Sequence, residues 1–434
     1  MDMIRELMDF LDASLTCYHA VREVERKLTK AGFTRLSEKA VWQLEGGRGY
    51  YVIRNDSSLA AFRVPKCGVD TIKGFHIFAA HSDSPAFKLK ECPEMIKEGV
   101  YVSLNTEKYG GMILSSWLDR PLTIAGRACV SENGAIVSYP VALKENTCLI
   151  PSLAIHLNRE VNNGTALAAQ TDMLPLLAAK PQDGEETISI GKLTAQALNR
   201  EYGKQFCAED ILASDLFVQN SQKATLAGAH DEFLMSARFD DLACVFAGME
   251  AVTAVEPDRY ISVLAVFDNE EVGSLTRQGA DSDFLRDTLA NIGDGLGVET
   301  RKCRIWKADS FLLSADNAHA CHPNQGAKSD PVNRPCLNGG IVLKYHGGQK
   351  YATDAYSAAF VKKLCKELEI PCQVYTNHSD VAGGSTLGNL SMAQVSMPAA
   401  DIGLAQLAMH SAYETGGTKD LADMVELAKA FYAM

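Results

Sequence analysis

The chain has 434 residues, of which 47% are hydrophobic and 22% are charged, and its net charge is -12. This length accommodates two or three domains with at least one large core, and the acidic charge argues against a nucleic-acid partner or an anionic membrane surface. The 12 cysteines form no Cys-x-x-Cys pair, the N-terminus does not resemble a signal peptide, and no apolar run is long enough to span a bilayer. These features predict a cytoplasmic protein with reduced cysteines and no membrane partner.

The first third of the chain changes its pattern twice. Apolar residues recur at helical spacing from residue 1 to about 40, and a strand-like segment at 74–80 then ends in His81-Ser82-Asp83. From about 92 to 226 short β-type runs dominate, with a polar helical stretch near 191–206. This change of pattern predicts a separate β-rich domain.

Alternation of helices and strands returns after about residue 230. A helix is predicted after Asp240-Asp241, and the apolar segment 261–266 predicts a buried strand. A further strand ends at Ser314-Ala315, and the C-terminal helix has Thr418 as its predicted N-cap.

Together these elements predict an α/β fold. Residues 1–91 and 227–434 would form one α/β/α domain around a central mixed sheet, and the β-rich domain of residues 92–226 would interrupt it. In open α/β sheets ligands bind beyond the carboxyl ends of the strands. Residues that directly follow the predicted strands are therefore the first candidates for a functional site.

Two adjacent carboxylates follow one of these strands. The segment Phe267-Asp268-Asn269-Glu270-Glu271-Val272-Gly273-Ser274 comes directly after the strand at 261–266. Neighbouring residues leave a strand end in different directions, so one Glu can bind a metal while the other acts as a general base. A solvated acidic turn is the alternative for a Glu-Glu pair on its own.

Further histidines and carboxylates lie at other predicted strand ends or turns, namely His81, Asp83, Asp240, Asp316 and His410. Each has a structural alternative: a hydrogen-bonded histidine, an Asx-turn at Asp316 or an N-cap at Asp240. As a set, they suit zinc, manganese or cobalt, and two neighbouring metals require terminal ligands plus a bridging carboxylate. The set therefore favours metal-assisted hydrolysis.

Nearly from end to end, the chain resembles the aspartyl aminopeptidase / aminopeptidase I family of dinuclear zinc exopeptidases. The segments around residues 80–85 and 268–274 carry part of this resemblance. Further motifs are Phe10-Leu11, His19-Ala20-Val21, Leu118-Asp119-Arg120, Leu122-Thr123-Ile124-Ala125-Gly126-Arg127, Leu153-Ala154-Ile155-His156-Leu157-Asn158-Arg159, Ala315-Asp316, His322-Pro323-Asn324 and Gln406-Leu407-Ala408-Met409-His410-Ser411.

The resemblance implies two Zn²⁺ ions per subunit, with Mn²⁺ or Co²⁺ as alternatives. Asp240 would bridge the two metals. His81 and Asp316 would complete one site, and Glu271 and His410 would complete the other.

The implied reaction is hydrolysis of the N-terminal peptide bond of a peptide substrate. Glu270 would be the general base, and Asp83 would orient His81 through its ring nitrogen. The family's bridging Asp is commonly followed by a cis peptide bond, so the bond between Asp240 and Asp241 is a candidate.

The resemblance also implies residues that bind the substrate. Lys344 would lie in the specificity pocket and pair with an acidic N-terminal side chain, with a surface lysine as the alternative. Tyr351 is a second pocket candidate. His319, a further substrate-binding candidate, and His322 would support the metal shell, with core packing or hydrogen bonding as the alternative. His156 would reach a neighbouring subunit's active site and hold the substrate carbonyl or its oxyanion, with an ordinary core or interface histidine as the alternative.

A homo-oligomer is implied as well, with the inserted domain forming dimers that assemble into a tetrahedral dodecamer. Other interpretations are a dinuclear deacylase of a non-peptide amide, an aminopeptidase of broader specificity, and a non-catalytic assembly protein on a dead peptidase fold. The segments 325–335 and 377–381 differ from what close relatives of the aspartyl-specific enzymes lead us to expect. Because both are predicted to lie near the substrate mouth, they bear on specificity and leave the metal chemistry unaffected.

Overall fold

A computed structural model describes residues 2–181 and 188–434, which form a mixed α/β protein with several sheets and confirm the predicted fold class. The chain divides into two compact units. The first unit consists of Met1–Asp83, Ala224–Met409 and Glu414–Met434, and the second consists of Ser84–Lys223 and His410–Tyr413. The predicted domain limits at residues 91 and 226 and the dimerisation role of the insert stay predictions.

The strands and helices are numbered in chain order. The strands are β1 Thr34–Arg35, β2 Gly49–Arg54, β3 Ser58–Arg63, β4 Gly74–His81, β5 Ala86–Lys97, β6 Tyr101–Tyr109, β7 Leu122–Glu132, β8 Ala135–Ala142, β9 Leu176–Ala179, β10 Ile211–Asn220, β11 Thr225–Ala227, β12 Phe233–Ser236, β13 Tyr260–Phe267, β14 Phe311–Ala315, β15 Ala318–His319, β16 Ile341–Lys344, β17 Cys372–Tyr375, β18 Ala399–Gly403, β19 Ala405–Leu407 and β20 Glu414–Gly417. The helices are α1 Asp2–Ala13, α2 Cys17–Lys30, α3 Ile190–Tyr202, α4 Phe239–Ala254, α5 Phe284–Gly295, α6 Thr300–Ala308, α7 Ala355–Glu367, α8 Leu387–Gln394 and α9 Asp420–Ala433. None of the helices in the described ranges combines the length and apolar character needed to cross a membrane.

The main sheet of the first unit has the strand order β1-β2-β3-β13-β4-β14-β18-β16-β17. Strands β13, β4, β14 and β18 are parallel neighbours, whereas β3 and β16 run antiparallel to the strands β13 and β18 beside them. In register, Phe267 pairs with His81, and Ser314 pairs with Ala79. Strands β13, β4 and β14 therefore end at one edge of the sheet.

Both faces of this sheet are covered by helices. On β4, Phe78 and Ala80 pack into one core with side chains from α1, α2, α4, α7 and α9. The alternate residues Ile77 and Ala79 pack into a second core with α5, α6 and α8. Burial on both faces explains why these strands are continuously apolar, as is usual for parallel sheets.

A smaller sheet of the first unit has the order β11-β12-β20-β19-β15. The second unit contains an antiparallel sheet in the order β8-β7-β10-β5-β6-β9. Helix α3 packs on it, and the hydroxyl of Tyr202 donates to the carbonyl oxygen of Pro140 at 2.7 Å.

Two local predictions were wrong. The helical segment predicted from residue 1 to about 40 ends earlier, at Lys30, and consists of two helices, α1 and α2, because Thr16 is extended and starts α2. Thr418 is not the N-cap of α9. That position is Lys419, and the hydroxyl of Thr418 instead donates to the carbonyl oxygen of Asp231 at 3.2 Å.

Candidate metal centre

Three neighbouring strands of the first unit end at the candidate site. His81 is the last residue of β4, Asp316 directly follows β14, and Glu270 and Glu271 open a short 3₁₀ turn just beyond β13. Parallel neighbouring strands present their carboxyl ends at one edge, where ligands of α/β sheets bind. The main sheet thus brings a histidine and three carboxylates together from three separate parts of the chain.

Asp83 holds both His81 and the Glu270-Glu271 turn. His81 is buried, and its Nδ1 lies 3.1 Å from the carbonyl oxygen of Asp83 and 3.4 Å from its carboxylate. Since a carbonyl only accepts, Nδ1 donates, and in the neutral ring Nε2 is then the nitrogen that can bind a cation. The Asp83 carboxylate accepts the backbone amides of Glu270 and Glu271, one on each oxygen, both at 3.1 Å.

Asp240 reaches the same place from the start of α4. The helix is irregular there, because Asp240 and Asp241 have non-helical dihedrals and the peptide bond between them is cis, as the resemblance predicts. The amide of Asp240 donates to Glu414 at 3.0 Å, and Asp241 accepts the amide of His81 at 3.2 Å. Arg238, not Asp240, occupies the N-cap position of α4.

The ligand atoms are close enough to share cations. Nε2 of His81 lies 3.7 Å from Oδ1 of Asp240 and 3.9 Å from Oδ1 of Asp316. His81, Asp240 and Asp316 form one group with ligand atoms within 4.8 Å of one another, and His81, Glu270 and Glu271 form another. These separations allow one ion to contact several of the atoms at once.

The electrostatics of the group also fit a cation. Burial raises the pKa of Glu270 to about 8, with the Asp316 and Asp83 carboxylates adding to the shift. Burial and the Asp240 carboxylate raise the pKa of Glu271 well above its ordinary range. Several buried carboxylates are costly to ionise together unless a cation neutralises them. A mixed histidine and carboxylate set is a donor set for zinc, manganese or cobalt.

The predicted pocket residue Lys344 lies against Asp316. Its side chain is 2% exposed, and its ammonium donates to the carbonyl oxygens of Asp316 at 3.0 Å and Asn317 at 3.1 Å. It also lies 3.3 Å from Oδ2 of Asp316 and 5.0 Å from the ring centroid of Tyr351, which is itself buried. Burial alone would lower the pKa of Lys344, but the Asp316 carboxylate raises it above its ordinary value. The surface-lysine alternative is therefore wrong.

The remaining predicted site residues are three histidines on other segments of the chain. His319 is exposed, with its ring 6.0 Å from that of Tyr375. His156 is exposed in the second unit. His410 also belongs to the second unit, has a φ of 65°, and accepts the amide of Ile113 on its carbonyl oxygen at 3.1 Å. The roles predicted for these three histidines stay predictions.

A cavity of about 620 Å³ lies between two loops of the first unit, residues 345–350 and 376–383. The predicted mouth segment 377–381 is part of its lining. His346, which also lines it, makes a ring contact with Tyr351 at 5.7 Å. Tyr351 therefore links the cavity lining to Lys344.

Several supporting residues could not be identified from the sequence. Glu414 supports Asp240 from more than 170 positions away. Asn317 donates to the carbonyl oxygen of Phe239 at 3.1 Å and to Gln406 at 2.8 Å. For Asn317 there was a weak indication in the sequence, because it directly follows the candidate ligand Asp316. Nothing in the sequence indicated that Glu414 lies near the site.

Comparisons with known proteins identify the family of this chain. The family model for aminopeptidase I zinc metalloproteases (M18) matches residues 10–432. The probable M18 family aminopeptidase 2 of Clostridium novyi is 40% identical over 98% of this chain and 98% of its own length. A chain in the cryo-EM structure of the Ape4 and Nbr1 complex superposes with a TM-score of 0.95 at 34% identity, covering 99% of this chain and 85% of that one. The S. cerevisiae mApe1 dodecamer gives a TM-score of 0.84 at 28% identity, covering 99% and 96%. The chain belongs to the M18 family of metallo-aminopeptidases.

Proposed function

We propose that this metallo-aminopeptidase removes N-terminal residues, preferentially Asp and Glu, from peptides at a dinuclear zinc centre. One observation carries the proposal: a half-buried base candidate, Glu270, is held beside the carboxylates and histidine that fit a cation. In the assignment that the resemblance suggests, Asp240 would serve both metals, His81 and Asp316 would hold one of them, and Glu271 and His410 would hold the other.

The bound metals would polarise the scissile carbonyl and make a water molecule acidic enough to react at neutral pH. Glu270 takes a proton from the attacking water and returns it to the nitrogen of the leaving peptide. Asp83 accepts the backbone amides of Glu270 and Glu271 and so sets the direction of both carboxylates. Because burial raises the pKa of Glu270 to about 8, this base needs nearby positive charge to be ionised at neutral pH.

The preference for acidic N-termini is the finer part of the proposal. It rests on the resemblance, which assigns Lys344 and Tyr351 to the specificity pocket. A cation that is desolvated in a pocket discriminates strongly, because an apolar substrate would leave it without an acceptor.

The test is a panel of N-terminal aminoacyl amides of Asp, Glu, Leu, Lys and Ala, assayed with added Zn²⁺, Mn²⁺ or Co²⁺. We expect initial rates on Asp and Glu to exceed those on the other three. Equal rates across the panel would refute the acidic preference and keep the aminopeptidase. Failure of every amide with every metal would refute the proposed reaction.

We also propose that the active enzyme is a homo-oligomer, with dimers assembled into a tetrahedral dodecamer. Leu153, Ile155 and Leu157, which flank His156, are 59%, 50% and 75% exposed. Contiguous exposed apolar side chains of this kind are typical of protein interfaces. The S. cerevisiae mApe1 structure is named a dodecamer, which supports the same assembly here.

Light scattering and subunit mixing test the assembly and the role of His156 together. The dodecamer has about twelve times the 47.1 kDa mass of one chain. If His156 acts in a neighbouring subunit's site, inactive His156→Phe and Glu270→Gln subunits should recover activity when they are reassembled together. Mixtures that stay inactive, although both variants bind metal and assemble, would refute the shared site.

A further inference from the structure

The two carboxylate oxygens of Asp316 face different partners. Oδ1 lies 3.9 Å from Nε2 of His81, on the side of the other candidate ligands. Oδ2 lies 3.3 Å from the ammonium of Lys344. The carboxylate therefore presents one oxygen toward the metal group while a fixed cation holds the other.

Lys344 has no proton left for another partner. An ammonium offers three donors, and here they meet the carbonyl oxygens of Asp316 and Asn317 and the Asp316 carboxylate. The side chain is also enclosed, at 2% exposure, with the Tyr351 ring 5.0 Å away. A substrate carboxylate could reach this ammonium only if one of these hydrogen bonds were broken.

Strand direction explains why Lys344 lies here. Strand β16 runs antiparallel to β18, which in turn is parallel to β14. In register, Leu343 pairs with Ile402, and Ile402 pairs with Ala315. The side chain of Lys344 can therefore reach back to the residues that follow β14.

We propose that Lys344 is a positioning residue that orients Asp316 as a single-oxygen ligand, a role separate from the substrate pairing proposed above. The inference rests on the proposed function in one respect, since it takes Asp316 to be a metal ligand. Hydrogen bonds that orient a ligating carboxylate typically contribute 10–100-fold to metal affinity. Removing the ammonium would leave Oδ2 free to turn toward the metal or toward the water around it.

The experiment measures Co²⁺ affinity by visible absorption of the cobalt-loaded protein, for the wild type, Lys344→Met and Lys344→Gln. We expect Lys344→Met to weaken the affinity of one Co²⁺ by about 10–100-fold and to change the absorption spectrum, because the geometry at one ion changes. Lys344→Gln keeps two N–H donors without the charge. It is the variant to use if Lys344→Met does not fold, and it should show a smaller loss in the same direction.

Lys350→Met is the matched control. Lys350 lines the neighbouring cavity and donates to the carbonyl oxygen of Gly383 at 2.6 Å, so its removal should leave Co²⁺ affinity unchanged. Unaltered Co²⁺ affinity in both Lys344 variants, with activity lost on Asp amides only, would overturn the inference and leave substrate pairing as the one role of Lys344. A wild type that binds no Co²⁺ would instead refute the proposed function itself. Weakened Co²⁺ affinity supports positioning whatever the ratio of rates on Asp and Leu amides.

Discussion

The two ends of the central strand β4 carry histidines in opposite electrostatic settings. His76, near the amino end, stacks on Tyr260 at 4.0 Å and on Phe431 at 4.5 Å, and its Nδ1 donates to the carbonyl oxygen of Phe431 at 2.7 Å. Burial lowers the pKa of His76 to about 4. At the carboxyl end, burial would likewise lower the pKa of His81, but Asp316 and Asp83 raise it well above its ordinary value.

The difference shows what separates a structural polar residue from a candidate ligand in this sheet. At the amino end, two aromatic rings and one carbonyl oxygen contact His76. These contacts favour the neutral imidazole and include no carboxylate that could bind a cation. The carboxyl end concentrates carboxylates, and Lys344 forms an ion pair with one of them, Asp316, at 3.3 Å. Buried negative charge of this kind is stable when a bound cation completes it.

The largest expected effect separates the two adjacent carboxylates at the carboxyl end. Glu270→Gln should keep both metals and lower kcat by about 10²–10⁴-fold, because a positioned base contributes that much. Glu271→Gln, the matched neighbour, should instead lose metal, since it removes a ligand. Elemental analysis and kcat measured on the same samples check both. More than a tenth of wild-type kcat in Glu270→Gln would exclude Glu270 as the base.

At the carboxyl end of the main sheet, a feature could be predicted when the residues that form it are adjacent in sequence. Strand β13 and the Glu270-Glu271 pair were predictable because an apolar run and the residues after it are adjacent in sequence. The contact of Lys344 with Asp316 was not, because it depends on the direction of β16, which a single short apolar run does not reveal. The break between α1 and α2 was missed because the extended residue Thr16 interrupts helical periodicity without a proline or glycine.

A second prediction concerns Asp83, which links His81 to the Glu270-Glu271 turn. In Asp83→Asn one oxygen becomes an NH₂ group that faces a backbone N–H instead of accepting from it. We expect metal affinity to fall by about 10–100-fold, with kcat falling alongside. Calorimetric titration with Mn²⁺ measures the affinity.

Asp330→Asn is a geometric control for that experiment. The Asp330 carboxylate also accepts two backbone amides, those of Val332 at 3.0 Å and Asn333 at 2.6 Å, but it is not part of the metal group. Its Mn²⁺ affinity should match the wild type. If both variants lose affinity equally, the effect comes from general destabilisation, and the specific role of Asp83 is refuted.

The smallest expected effect tests the amino end through pH. The pKa of His76 is about 4 in the folded state, below its ordinary value of 6.5, so the unfolded chain binds this proton more readily. Its contribution to stability is therefore complete above pH 6.5 and is lost as pH falls toward 4. Between pH 6.5 and 5 the loss is about 2 kcal/mol.

His76→Gln removes this titrating group together with the stacked ring. The variant should be less stable at pH 7. Between pH 7 and 5, however, its melting temperature should fall by roughly 2–4 °C less than that of the wild type. The exposed His230→Gln is the control and should keep the wild-type dependence, since it removes a surface histidine and leaves the aromatic stack around His76 intact. If His76→Gln kept the wild-type pH dependence, the aromatic stack around His76 would tolerate a charged imidazole. The contrast between the two ends of β4 would then depend only on the carboxylates around His81.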